Sequence, residues 1–314
     1  MKKVVFILLT IFHLGAVSCQ SVPKESEPSK EAVKGFTESR LAYETTFNTK
    51  PQNGKLKGVV ELGASGFNSF IINVDKDLNW EAVKKEYGNS NILEDGTDSQ
   101  QVSSKLKAYI KKMVDFGVGA KDIHFVVSSG AAKEETSETI IQELKKLDYK
   151  VNIVTAEEEG VYALKVVLPN GFSDTSFVVD IGSGNTKISY IEEDNSIKVF
   201  ESYGAKYYKK DIQDKIAYNE VKSNATKVPK FKRSTCFIIG GAPYKLAKHS
   251  RKDKERYTLL STEVDDYLEL AKESQKIKSG LNIYKAVIDA TDTKKVIFDW
   301  DANFTIGFLL SETD

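Results

Sequence analysis

Cysteine and histidine are scarce in this chain, and its formal charge is zero. The 314 residues include two cysteines and three histidines, and 45 basic residues balance 45 acidic ones. Two cysteines exclude a disulfide-dense scaffold, and a chain without basic excess is not expected to have a specific nucleic-acid partner. His124 and His249 have no metal-like neighbours in the sequence, so no histidine metal site is predicted. Cys236 lies in an apolar run and is expected to be an inert core residue.

Long apolar runs are also missing, except at the N-terminus. Met1–Lys3 contributes two lysines and Val4–Val17 is almost wholly apolar, which predicts a secretory signal over residues 1–18. The run is too short for a transmembrane helix. Ala16-Val17-Ser18-Cys19 resembles a bacterial lipobox, although alanine stands where leucine is usual. We therefore expect Cys19 to be lipidated and to anchor the chain to a bacterial membrane, facing the periplasm or the surface. An ordinary signal with a chance cysteine is the alternative.

The composition and the apolar pattern of the sequence change twice from the signal onward. Residues 19–55 begin with a stretch rich in Ser, Pro, Glu and Lys, which predicts a flexible tether. From Leu56 onward, apolar runs alternate with helical patterns, as in an α/β fold. A strand, a glycine loop and a second strand follow one another near residue 58 and again near residue 176. This duplication predicts two lobes, residues 56–165 and 166–314, with a cleft between them.

Three glycine-containing loops follow apolar strands, and two of them follow a carboxylate. Amide groups in such tight turns form anion-binding concavities, and an acid beside a bound phosphate suggests that a divalent cation or an attacking water lies between them. One loop alone is also compatible with an ordinary hairpin. The candidate phosphate-binding residues are Gly63, Ala64, Ser65, Gly66, Gly182, Ser183, Gly184, Asn185, Gly240 and Gly241.

Four blocks in this order resemble the Ppx/GppA exopolyphosphatase and guanosine pentaphosphate phosphatase family. They are Glu61–Phe67 (ELGASGF), Val154–Glu159 (VTAEEE), Val178–Thr186 (VVDIGSGNT) and Ile239–Ala242 (IGGA). The resemblance implies a two-lobed, duplicated fold of the actin-like (ribonuclease H-like) type with a central cleft. It extends from Leu56 to the C-terminus, strongly as far as His249 and weakly from Ser250.

The resemblance also implies roles for individual residues. Glu159 matches the family's catalytic glutamate and is expected to act as general base, while Asp180, Glu61 and Glu158 are expected to hold Mg²⁺ or another divalent cation. Lys133 falls where the family has an arginine and is expected to bind phosphate. Judged by the residues alone, Glu157-Glu158-Glu159 is more typical of a solvated acidic first turn of a helix than of a shared site, since consecutive helical residues point about 100° apart.

Several positions depart from the family pattern, which leaves more than one function open. Glu61 replaces aspartate, Ala64 serine, Ser183 glycine, Ala242 threonine and Lys133 arginine, which loses the bidentate fork on phosphate. We expect a phosphoanhydride hydrolase acting on the terminal phosphate of polyphosphate. The alternatives are a non-catalytic polyanion-binding lipoprotein and a nucleotide-dependent enzyme of the same superfamily. A homodimer is also open.

Two basic stretches could attract a polyanion. They are Lys209-Lys210 and Lys222–Arg233, the second of which holds five basic residues and no acid. A long polyphosphate chain would be drawn to such a stretch. A solvated surface loop is the more typical interpretation of Lys222–Arg233, and polyphosphate binding is the alternative.

Overall fold

The computed structural model describes residues 50–64, 66–88, 99–133, 136–169 and 171–312. The predicted signal, Cys19, most of the predicted tether and Ser65 lie outside these residues. Within the described ranges, no helix combines the length and the apolar character needed to cross a membrane. The described residues belong to one compact unit.

A five-stranded sheet carries the first glycine loop, in the order β3-β2-β1-β4-β5. Leu62 in β1 lies opposite Val127 in the parallel strand β4. Because both strands end at this edge of the sheet, the loop after β1 and the turn after β4 are neighbours. Apolar side chains of two helices cover one face. The elements are β1 (Lys55–Gly63), β2 (Gly66–Val74), β3 (Trp80–Tyr87), α1 (Ser99–Phe116), β4 (Ile123–Val127), α2 (Thr136–Lys146) and β5 (Val151–Ile153).

A six-stranded sheet repeats this arrangement, in the order β10-β11-β9-β6-β7-β8. β6 is buried along its whole length, and Ile181 at its end lies opposite Gly240 in the parallel strand β9. The second and third glycine loops are therefore also adjacent. The elements are β6 (Ser176–Ile181), β7 (Asn185–Ile191), β8 (Ile197–Tyr203), α4 (Asp214–Thr226), β9 (Thr235–Gly240), α5 (Gly241–Ser250), β10 (Tyr257–Leu260), α6 (Leu268–Ala271), α7 (Gln275–Thr291) and β11 (Val296–Asp299).

Two helices join the sheets through a shared apolar core. They are α3 (Ala156–Val167) and α8 (Phe304–Ser311). Their buried residues form one cluster with Val59 and Val126 of the first sheet and with Val178 and Phe237 of the second. The helices approach each other closely, because Gly307 faces the backbone of Tyr162, where a Cβ would lie 2.2 Å from the carbonyl oxygen. This packing places α3 beside both sets of loops.

Some elements differ from the sequence-based expectation. The apolar spacing of residues 262–273 predicts one helix, but a 3₁₀ turn over Val264–Tyr267 leads into the short α6. The strand β3 is not evident in the sequence, because its residues WEAVKKEY are charged and half-buried, as is common in edge strands. The helix α4 was also missed, since only a few of its residues are buried.

The turn from β9 into α5 provides a test of the loop geometry. Gly240 has φ of +109°, and a Cβ there would lie 2.3 Å from the carbonyl oxygen of Ile181. Gly240→Ala is expected to lower the free energy of unfolding by about 1–3 kcal/mol, because strain and a backbone clash combine. The neighbouring Gly241→Ala is the matched control, since its Cβ would meet only the Lys276 ammonium, at 3.8 Å. Urea denaturation measures both changes, and equal stabilities would contradict the geometry.

A cleft over three loops and a buried ion-pair cluster

The loops of the two sheets are in direct contact. A Cβ on Gly184 would lie 2.8 Å from the Gly130 Cα and 3.4 Å from the Ala64 Cβ. The second loop is held from behind by the segment after β8, where Ala205 and Lys206 donate backbone hydrogen bonds of 2.9 Å to the carbonyls of Gly182 and Ser183. The close contact of these turns explains why small residues occupy them.

The three consecutive glutamates at the start of α3 have different environments. Thr155 caps the helix and forms a capping box with Glu158, whose Oε2 accepts a 2.8 Å hydrogen bond from the Thr155 backbone N–H. Glu157 and Glu158 are exposed. Glu159 is 1% exposed, and its Oε1 accepts a 2.5 Å hydrogen bond from the Ser129 backbone N–H. Of the predicted site acids in this helix, only Glu159 therefore reaches the loops.

Lys187, which the sequence analysis did not single out, lies at the centre of the acidic cluster. Its Nζ is 2.5 Å from Glu159 Oε2 and 3.0 Å from Asp180 Oδ2, and it donates a 3.2 Å hydrogen bond to Asn185 Oδ1. Burial alone lowers the pKa of an ammonium, but Asp180 and Glu159 outweigh burial and raise the pKa of Lys187 above its usual value. The ammonium is therefore charged and ties α3 to the second sheet. A single lysine among the apolar residues of β7 was the available sequence signal.

Glu61 is the third buried carboxylate of this region. Its Oε2 accepts hydrogen bonds from the side-chain amides of Asn68, at 3.0 Å, and Asn303, at 3.3 Å. Burial raises the pKa of Glu61 to about 7, the Asn68 hydrogen bond opposes this, and the charges of Glu159 and Asp180 add to it. Glu61 of the metal-free chain therefore changes charge near neutral pH.

The residues present do not fit the predicted magnesium site. Glu158 caps its helix instead of facing Asp180, and the Lys187 ammonium fills the space between Glu159 and Asp180. Within the described residues, no group of three or more His, Cys, Asp or Glu side chains is arranged to hold a metal ion. The expected Glu61, Glu158 and Asp180 ligand set is thus not assembled.

An open cleft of about 590 Å³ lies against the first and second loops. Ala64, Gly130, Ser183, Gly184 and Asn185 line its floor. Four lysines and two glutamates surround them, namely Lys133, Lys206, Lys209, Lys210, Glu201 and Glu220. The lining therefore carries an excess of basic groups, which favours anions over cations near the cleft. Lys133 and Lys209-Lys210 were expected from the sequence, whereas Lys206 was missed because the fold alone brings it to this loop.

Other predicted residues lie elsewhere. Gly240 and Gly241 form the start of α5 and do not line the cleft. In the Lys222–Arg233 stretch, the Lys232 Nζ donates to the Ser173 carbonyl at 2.8 Å, and the Arg233 guanidinium donates to three backbone carbonyls. These two cations hold chain segments together. The stretch begins in α4, and Lys232 is buried, so it is neither a simple solvated loop nor a continuous track of exposed cations.

Cys236 is a buried free thiol. Burial raises its pKa well above the ordinary value, which keeps the thiol protonated and unreactive. The expectation of an inert core cysteine is confirmed.

Comparison with known proteins identifies the fold. No protein-family model and no curated protein sequence matches the chain. Among solved structures, the Aquifex aeolicus member of the Ppx/GppA family matches with a TM-score of 0.63 and 17% identity, over 82% of this chain and 97% of that one. An exopolyphosphatase from Cytophaga hutchinsonii matches with a TM-score of 0.67 and 15% identity, over 83% and 98%. The chain has the Ppx/GppA fold. The predicted two-lobed, actin-like architecture is confirmed.

The raised pKa of Glu61 predicts a pH-dependent stability. The protonated carboxyl is favoured in the folded chain, so this contribution is fully present below the usual pKa of 4.5 and is lost as the pH rises through about 7. The Glu61→Gln variant, which is neutral at every pH, should lose this slope. The difference in unfolding free energy between wild type and Glu61→Gln should change by a few kcal/mol from pH 5 to pH 8. Urea denaturation across this range measures it, and parallel curves would contradict the assignment.

Proposed function

We propose that the chain is a phosphohydrolase that removes the terminal phosphate of a linear, polyphosphate-like polyanion. The observation that carries the proposal is the lysine-lined cleft whose floor is formed by the two glycine loops, with the Glu159 carboxylate directly behind them. Lys133, Lys206, Lys209 and Lys210 would attract the chain of phosphates, and the loop amides would bind its terminal group. The fold shared with exopolyphosphatases supports the same activity.

In the proposed reaction, a water molecule attacks the terminal phosphorus while Glu159 accepts its proton. The bond between the terminal phosphorus and the bridging oxygen breaks, and the products are inorganic phosphate and a chain shortened by one unit. The Lys187 ammonium, 2.5 Å from Glu159 Oε2, would hold the carboxylate in position for this step. Because Glu159 is 1% exposed, the reaction requires the surrounding chain to open before water and the terminal phosphate can reach it.

Binding without turnover is the second candidate function, and a specific observation favours it. Glu159 is in contact with both the Ser129 backbone N–H and the Lys187 ammonium, so its two oxygens are engaged. Ala64 also lacks the hydroxyl that the family pattern has in the first loop. A protein with these features would bind the polyanion in the cleft and leave it intact.

The predicted anchor completes the proposal. With Cys19 lipidated, the tether would place the cleft outside the cytoplasm, on the periplasmic or surface side of a bacterial membrane. A cytoplasmic nucleotide signal would not be available on that side of the membrane, so the location favours a substrate such as inorganic polyphosphate.

Replacement of Glu159 tests the hydrolase. Phosphate release from polyphosphate, pyrophosphate and ATP should favour polyphosphate in the wild type and fall about 100-fold or more in Glu159→Gln, because a general base contributes at least this factor. Glu158→Gln is the matched control, since the neighbouring residue caps the helix and glutamine can serve the same cap. Its release should stay within about twofold of wild type, as expected for a change outside the reacting groups.

The outcomes separate the candidates. Polyphosphate binding by the wild type without phosphate release from any substrate would replace the hydrolase with the binding protein. Release from ATP alone would favour a nucleotide-dependent enzyme. An equal loss in Glu158→Gln and Glu159→Gln would remove Glu159 from the proposed reaction.

Neutralisation of the cleft lysines tests polyanion binding in either case. Lys133→Gln combined with Lys210→Gln should raise the dissociation constant for polyphosphate about tenfold or more, the equivalent of about 1.4 kcal/mol, and should flatten its salt dependence. Lys230→Gln, at an exposed lysine that does not line the cleft, serves as the control. Fluorescence anisotropy with labelled polyphosphate measures both, and equal affinities for the two variants would place the binding site elsewhere.

A further inference from the structure

The Lys187 ammonium occupies the point where oxygen atoms of the acidic cluster converge. Its nitrogen lies 3.2 Å or less from Glu159 Oε2, Asp180 Oδ2 and Asn185 Oδ1. One face of the site is closed by Phe304, whose ring centroid is 5.9 Å away. The lysine side chain is 4% exposed. Two carboxylates and one amide oxygen around a buried cation form a coordination-like environment.

Oxygen donors of this kind are those that a hard divalent cation prefers. Mg²⁺ binds oxygens at about 2.0–2.1 Å and requires a near-octahedral shell. An ion that bridged Glu159 Oε2 and Asp180 Oδ2 from the side on which the ammonium lies would overlap it, since both oxygens are within 3.0 Å of its nitrogen. Like charges at such a separation repel strongly in a buried site. The ammonium and a metal ion are therefore mutually exclusive.

The lysine is held firmly in this position. It lies in β7, whose backbone pairs on both sides, with Asp180 in β6 opposite Lys187 and Glu201 in β8 on the other side. Its ammonium donates a hydrogen bond to Asn185 Oδ1 and forms ion pairs with Glu159 and Asp180. Movement of the ammonium out of the cluster would leave two carboxylates buried and unpaired, which is strongly unfavourable.

We infer that Lys187 is a built-in substitute for a divalent cation, so that this site neither binds nor needs a metal ion. The absence of a metal ion from this site does not depend on the proposed function. Its consequence does rest on that function, and it is that polyanion binding, and any turnover, proceed without divalent cations. The ammonium also holds Asn185 through its side-chain oxygen, while the Asn185 amide donates to Ser129 Oγ at 2.8 Å. The Lys187 ammonium thus holds Asn185 in place at the floor of the cleft, a role that a bound metal ion would otherwise have.

The test begins with metal binding to the wild-type protein, independent of any activity. Titration calorimetry with MgCl₂ and with MnCl₂ should show no saturable site at millimolar concentrations, and neither ion should raise the melting temperature. Binding of labelled polyphosphate should be as tight in EDTA as in Mg²⁺. A stoichiometric Mg²⁺ or Mn²⁺ site that is lost in Asp180→Asn would overturn the inference.

Removal of the ammonium should create the missing metal site. Lys187→Gln is expected to bind Mn²⁺ about tenfold or more tightly than the wild type, with Mn²⁺ raising the melting temperature of the variant, because metal binding to a folded site stabilises it. The double variant Lys187→Gln with Glu159→Gln is the matched control and should lose the gain, since one carboxylate ligand is gone. Lys187→Arg should bind no metal. If Lys187→Gln bound Mn²⁺ no better than wild type, the cluster would not be a latent metal site and the inference would fail.

If a variant is too unstable to purify, the metal titrations of the wild-type protein still test the inference by themselves. These outcomes are also distinct from failure of the proposed function. Absence of polyphosphate binding or phosphate release would refute the function, whereas only metal binding at these carboxylates, or its absence in Lys187→Gln, speaks against the role of Lys187.

Discussion

The buried contact of the Lys187 ammonium with Glu159 and Asp180 is the interaction on which the rest of the site depends. Glu159 lies in the first turn of α3, the helix that packs between the sheets, while Asp180 and Lys187 lie opposite each other in two strands of the second sheet. Loss of one partner from a buried ion pair typically costs about 3–5 kcal/mol, because the remaining charge is left unpaired. This energy keeps Glu159 pointed at the Ser129 amide and Asn185 at the floor of the cleft.

The close approach of the glycine loops is the second constraint. Parallel strands end at the same edge of each sheet, so every loop of the site follows a strand end. The shared core around α3 and α8 then brings these edges together until Gly130 and Gly184 touch. The cleft lies against this junction, and four lysines and two glutamates line it. A chain of zero net charge thus has a local excess of basic groups at the cleft.

Prediction from the sequence succeeded for elements that a local pattern of apolar residues defines. It failed where contacts with residues distant in sequence decide which element forms or which side chain is buried. The strands around both glycine loops were predicted because uninterrupted apolar runs of this length are typical of buried strands. The edge strand β3 and the helix α4 were missed because elements that are half exposed mix apolar and polar residues without a clear period. Among Glu157, Glu158 and Glu159, helix periodicity showed that the three could not share one site, but which of them is buried depends on the packing of α3 against β7.

By itself the sequence determined the order of strands and loops, the carboxylates beside the loops and the duplicated fold, because these follow from local periodicity, glycine turns and a motif order. Only the tertiary structure decided what fills the acidic cluster. Lys187 is two residues from the second loop in the chain, yet its role appears only when β7 places its ammonium between Glu159 and Asp180. The physical reason is that the role of a buried charged group depends on the charges around it, and those come from segments far apart in sequence.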